Sequence, residues 1–189
     1  MDSEEHFWML FSSWVFSSFG SGLTSYQTRN VGTQNKMGNP LVIWGYILYI
    51  VSHGLQWKPL VDSVDRQRYK DMIMSGLVFS MLAEMIIGGI SYGEVMEMNK
   101  GMTLRNTSGI VIRYLIGTLL VSLGVSDGSK SVMIETTLTM LAITFTRFAI
   151  ENIPSRSPWI LIVINLILTM LFAYRSYLRV KKKNKPKIE

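Results

Sequence analysis

The run WILIVINLILTMLFAY, Trp159 to Tyr174, passes without a break into Arg175, Arg179 and the basic cluster Lys181 to Lys187. An apolar helix of near-bilayer length that abuts a basic block is the pattern of a membrane span whose last residues face the cytosol. Sixteen residues fall a little short of the roughly 20 that cross a hydrocarbon core. Pro158 opens the run, and Ser176 to Val180 can extend it while Arg175 and Arg179 snorkel outward. Its one polar side chain, Asn165, is read as a hydrogen bond between helices.

Working outward, the chain has 189 residues, 48% apolar and only 17% charged, which places it among multi-span membrane proteins. With no cysteine, disulfides, Cys-ligated zinc, iron–sulfur clusters and thiol catalysis are all excluded. The net charge of +6 could suggest nucleic-acid binding, yet seven of the nineteen basic residues follow Tyr174. Such a tail, residues 176–189, sets topology and attracts anionic lipid of the cytosolic leaflet; contact with RNA phosphate is the second reading for Lys181, Lys182 and Lys183.

Upstream lie further apolar runs. Phe7 to Phe19 is short and rich in Trp and Phe, which suits an interfacial or re-entrant helix, or an aromatic plug among the other helices. Gly20 to Pro40 reads as a polar loop. Spans are expected at about 41–57, 72–92, 110–125, 132–150 and 158–175, making an all-α polytopic protein with about five crossings in a single membrane domain. His53, near the end of the first of these, is expected at headgroup level. Lys58 to Asp71 reads as a short amphipathic surface helix whose basic edge is Arg66, Arg68 and Lys70.

The 72–92 span carries Glu84 near its middle and the pair Gly88 and Gly89 toward its end. A carboxylate at that depth costs at least about 2.5–3.5 kcal/mol unless it is protonated, paired or facing a wet cavity. Glu84 is therefore the leading intramembrane candidate, and the glycines permit close helix packing. Arg113 can snorkel from the start of the next span; the alternative is an interhelical pair with Glu84. Glu135 and Arg147 stand near the two ends of the 132–150 span.

With the tail in the cytosol, alternation through five spans leaves the N-terminus luminal. Lys58, Arg66, Arg68, Lys70, Lys130 and the seven basic residues of the tail then share the cytosolic side, against five basic residues opposite. That asymmetry follows the positive-inside rule. Lys185 to Glu189 fits a lysine-x-lysine-x-x pattern that resembles an endoplasmic-reticulum retrieval signal. Asn106-Thr107-Ser108 is a formal glycosylation sequon too near the next span for ready modification.

There is no HExxH, Walker-type glycine loop, nucleophile elbow or dinucleotide fingerprint, so no enzyme activity, metal or cofactor is expected. One segment does resemble a known family. Arg66-Gln67-Arg68, an apolar span closing on Ile86-Ile87-Gly88-Gly89, then Ser91, Glu94-Val95, Gly101-Met102-Thr103 and Ser108-Gly109 follow in order. This resembles the N-terminal third of the flavivirus nonstructural protein 2A. The resemblance implies a non-enzymatic protein of the host endoplasmic reticulum membrane that takes part in viral RNA replication and virion assembly. It would bind viral RNA and other viral membrane proteins, with Arg66, Arg68 and Lys70 as cytosolic contacts. Two rival readings stand beside it: a small channel or transporter, self-assembled into a homo-oligomer, with Glu84, Arg113 and Glu135 along a polar path, and a cellular membrane protein that shares only the composition.

Overall fold

Ser13, Ser17, Gly20, Ser21 and Thr24 recur at three- and four-residue intervals, which collects them on one face of a helix. Small and hydroxylated residues in that register let a second helix come close, and the second helix answers with Gly45, Tyr49 and Ser52. The computed structural model describes residues 3–25, 41–95, 110–152 and 159–183, and every element within them is helical. Helix α1 spans Ser3–Thr24, α2 Leu41–Asp62 and α3 Gln67–Val95. A π-helical segment, Ile110–Thr118, tightens into α4, Leu119–Ser126; α5 spans Lys130–Asn152 and α6 Trp159–Lys183.

Each rod runs antiparallel to the one before it. Ser13 meets Ser52 and His6 meets Asp62 across α1 and α2. A Cβ on Gly88 would stand 3.2 Å from Tyr46 and one on Gly54 3.5 Å from Met81, which orients α2 against α3. Gly76 lies against Val121, and Tyr69 against Gly124, across α3 and α4. Thr146 meets Asn165, and Thr136 meets Arg179, across α5 and α6. Finally α6 returns to α1, where Ser21 bonds Asn165 and Trp14 bonds Leu166. The six rods therefore form a closed up-and-down ring. Asp127 and Gly128, with φ of 45° and 90°, make the left-handed turn between α4 and α5.

Polarity is arranged opposite to that of a water-soluble bundle. Ser13, Ser52, Ser80, Glu84, Arg147 and Asn165 are buried, whereas Trp44, Phe79, Met85, Leu138, Phe145 and Ile167 face outward. An exterior of that kind is suited to lipid. Three helical stretches, Gln67–Gly89, Lys130–Ile150 and Trp159–Lys183, are long and apolar enough to cross a membrane, with a shorter apolar stretch at Leu115–Ser126.

Several expectations change. Among the described residues, length and composition single out three candidate spans of the five expected, with the shorter Leu115–Ser126 beside them. Phe7 to Phe19 is the middle of a 22-residue helix packed lengthwise along α2 and α6, longer than the short piece expected and in line with the alternative of packing among the other helices. Its serine face is what the apolar length left out. Lys58 to Asp71 is not a separate surface helix either: α2 continues through Pro59 to Asp62, and α3 starts at Gln67 after a bend. The end of the chain is helical through Lys183, so Ser176 to Lys183 belong to α6 and not to a tail. Because α1 adds a full antiparallel rod, its start lies beside the end of α6, as the edge-to-face rings of Phe7 and Tyr177 show. The sequon at Asn106 and the motif at 185–189 lie outside the described residues.

Candidate functional site: a buried ion cluster and a basic end

Glu84 is fully buried in α3. Its Oε2 accepts a hydrogen bond from Nη2 of Arg113 at 2.5 Å, and its Oε1 accepts one from Nη2 of Arg147. Nε2 of His53 stands 3.6 Å from Oε1, beyond hydrogen-bond range but close enough for electrostatic coupling. Four rods thus converge on one carboxylate. The Arg147 guanidinium carbon also lies over Tyr49, 3.4 Å from the ring centre, where the face of the π-system offsets part of its desolvation.

Local structure explains the aim of these groups. Arg113 sits in the π-helical segment, whose wider winding is stitched by the Thr118 hydroxyl donating to the Arg113 carbonyl five residues back, at 2.7 Å. Arg147 lies in the last turns of α5, next to Thr146, whose hydroxyl accepts a hydrogen bond from Nδ2 of Asn165 at 2.8 Å. Asn165 also donates to the Ile143 carbonyl, and its Oδ1 accepts from Ser21, so one amide joins α1, α5 and α6. Beside the cluster a cavity of about 60 Å³, measured to the centres of water-sized molecules, is lined by Ser52, His53, Gln56, Ser80, Thr144 and Arg147, among others. That is room for a few waters.

Of the intramembrane residues singled out from sequence, Glu84 and Arg113 come together as an ion pair, the arrangement held there as the alternative to snorkelling. Asn165 lies apart from them in its own network. Glu135 does not join Glu84: it is half-exposed and pairs with Arg175 and Arg179 of α6. His53 stands beside Glu84, and Arg147 is a member that sequence reasoning passed over. The available signal for Arg147 was its position on an apolar helix. Gly88 packs against Tyr46, whereas a Cβ on Gly89 would meet nothing within 4 Å.

The basic residues gather elsewhere. Nζ of Lys183 reaches the Asp62 carbonyl at 2.9 Å, the Val64 carbonyl at 2.8 Å and the Asp65 carboxylate at 2.8 Å. That clasp brings the end of α6 to the bend before α3, so Lys181 and Lys182 stand at the same end of the bundle as Arg66, Arg68 and Lys70. Arg66, Arg68, Lys181 and Lys182 are exposed and Lys70 is half-buried. Lys58 and Lys130 are exposed at this end as well.

No family model, curated protein or solved structure matches the chain. Among the described residues no three His, Asp or Glu side chains lie close enough to share a metal ion.

Proposed function

We propose that the chain is a membrane-embedded scaffold whose bundle crosses the bilayer and presents one basic end to a polyanionic partner in the cytosol. The observation that carries this reading is the Lys183 clasp, which merges two basic clusters more than a hundred residues apart into one face. With the positive-inside rule, that end is cytosolic, and both described termini lie on the cytosolic side. The resemblance of residues 66–109 to flavivirus nonstructural protein 2A supplies the partner: viral RNA at the endoplasmic reticulum membrane, during replication and virion assembly alongside other viral membrane proteins.

The test is crosslinking of tagged protein in cells followed by RNA recovery, with Arg66, Arg68 and Lys70 changed together to Ala. Loss of RNA crosslinks with unchanged membrane location is the expected result. In purified form, removing three phosphate contacts lowers the slope of log affinity against log salt by about 2 for single-stranded RNA. RNA recovered equally from both proteins, or from neither, sinks the reading.

A second reading draws on the hydroxyl-lined cavity beside Glu84: a small oligomeric channel or transporter. It predicts ion or proton flux into proteoliposomes that drops on Glu84→Gln. The clasp of two guanidiniums on Glu84 favours the scaffold, because a carboxylate so held must break both bonds to carry a proton. Flux equal to that of empty liposomes removes the channel.

A further inference from the structure

Where α1 and α6 run side by side, their outer faces leave an apolar groove of about 440 Å³, counting the space open to the outside. Leu10 and Ala173 form its floor, and Phe11, Trp14, Met170 and Tyr177 its walls. Trp14 closes the inner end, held by its indole N–H on the Leu166 carbonyl at 3.1 Å. At the outer end Phe7 meets Tyr177 edge-on, with ring centres 5.5 Å apart. From Phe7 to Trp14 a helix rises about 10 Å, most of the depth of one leaflet of a ~30 Å core. The groove is thus a slot of about leaflet depth, with Trp14 at its inner end and the Phe7–Tyr177 ring contact at its basic end.

Charge decides what enters it. The ammonium of Lys181 stands over the Tyr177 ring, 5.8 Å from its centre, at the mouth of the slot. Lys183 is taken up by Asp65, Glu5 by Lys58 and the Asp62 carboxylate by His6, while Lys181 and Lys182 are exposed. The mouth therefore keeps an excess of positive charge beside an apolar slot.

We propose that this groove and Lys181 bind one anionic phospholipid, its acyl chain along Leu10 and Ala173 and its phosphate against Lys181. The inference rests on the membrane-embedded reading above and adds to it a specific lipid at a specific place. An aromatic wall at the interface and a lysine beyond it match an amphiphile with a single negative head better than a neutral one.

Native mass spectrometry of the detergent-purified protein, with phosphatidylglycerol or phosphatidylcholine added, tests it. The wild type is expected to retain one phosphatidylglycerol at least about tenfold better than phosphatidylcholine, since each lysine near the headgroup contributes about a fivefold preference. Lys181→Gln with Lys182→Gln makes the two lipids equal. Ala173→Phe fills the slot and abolishes retention of both. The lysine changes lie on the surface, so that variant remains informative if the groove-filling one fails to fold. Equal retention by the wild type, or a preference that survives the lysine changes, overturns the proposal. Failure of the membrane reading looks different: a protein that stays dispersed without detergent and retains neither lipid.

Discussion

Glu84→Ala is expected to remove about 3–5 kcal/mol from the stability of the bundle, enough to leave a marginal protein largely unfolded. The carboxylate is fully buried and shared by Arg113 and Arg147, each 6% exposed. Removing it strips both guanidiniums of their common acceptor inside a low-dielectric interior, where a lost charge partner costs more than the pair itself contributes. Unfolding in mixed micelles followed by tryptophan fluorescence measures the loss. The decisive comparison is a double-mutant cycle with Arg147→Met, which places a flexible apolar chain where the guanidinium lay over Tyr49. If the cluster acts as a unit, the double variant is more stable than the sum of the single losses by about 0.5–3 kcal/mol. Strict additivity would mean that the two side chains do not act together.

The second large effect comes from glycine. A Cβ on Gly76 would lie 2.7 Å from the backbone nitrogen of Val121 and 2.8 Å from the Gly117 carbonyl. One on Gly124 would lie 2.7 Å from the Tyr69 carbonyl and 2.5 Å from Ile73. Both sites press backbone on backbone, so α3 and α4 must separate to admit even a methyl. Each Gly→Ala change there is expected to cost about 1–3 kcal/mol or more, and the pair together to prevent α4 from docking. Gly89→Ala is the control, with nothing within 4 Å. It is expected to be neutral or to stabilise by up to about 1 kcal/mol, because alanine is the better helix former. Thermal unfolding by circular dichroism separates the two classes; destabilisation by Gly89→Ala equal to that by Gly76→Ala would contradict the assigned contact.

The same comparison shows where sequence reading stops. Gly88 and Gly89 are indistinguishable as a pair in the chain, yet one packs on Tyr46 and the other faces open space, because a helix turns 100° between neighbours. Gly76, Gly117 and Gly124 carry a close crossing of α3 with the fourth rod; Gly76 with Ser80, and Gly117 with Gly124, share a helix face by their spacing, but the sequence does not say which helix answers that face. His53 and Arg147 were visible as polar residues near span ends; their convergence on Glu84 depends on depth, which a linear sequence does not state.

By itself the sequence indicated the helical class. Its long apolar runs with few charges are compatible with helices in lipid, which pair their backbone within the segment, and a carboxylate such as Glu84 within one of them must find a partner. The tertiary structure alone decided which partners Glu84 takes, that α1 is a full rod, and that Lys183 clasps the bend before α3, where threading of the sequence puts the two basic clusters only on one side. Those outcomes follow from closing the ring: α6 returns to α1 only when six rods alternate, and that closure sets both the meeting of the described ends and the depths at which Glu84, Arg113, Arg147 and His53 coincide.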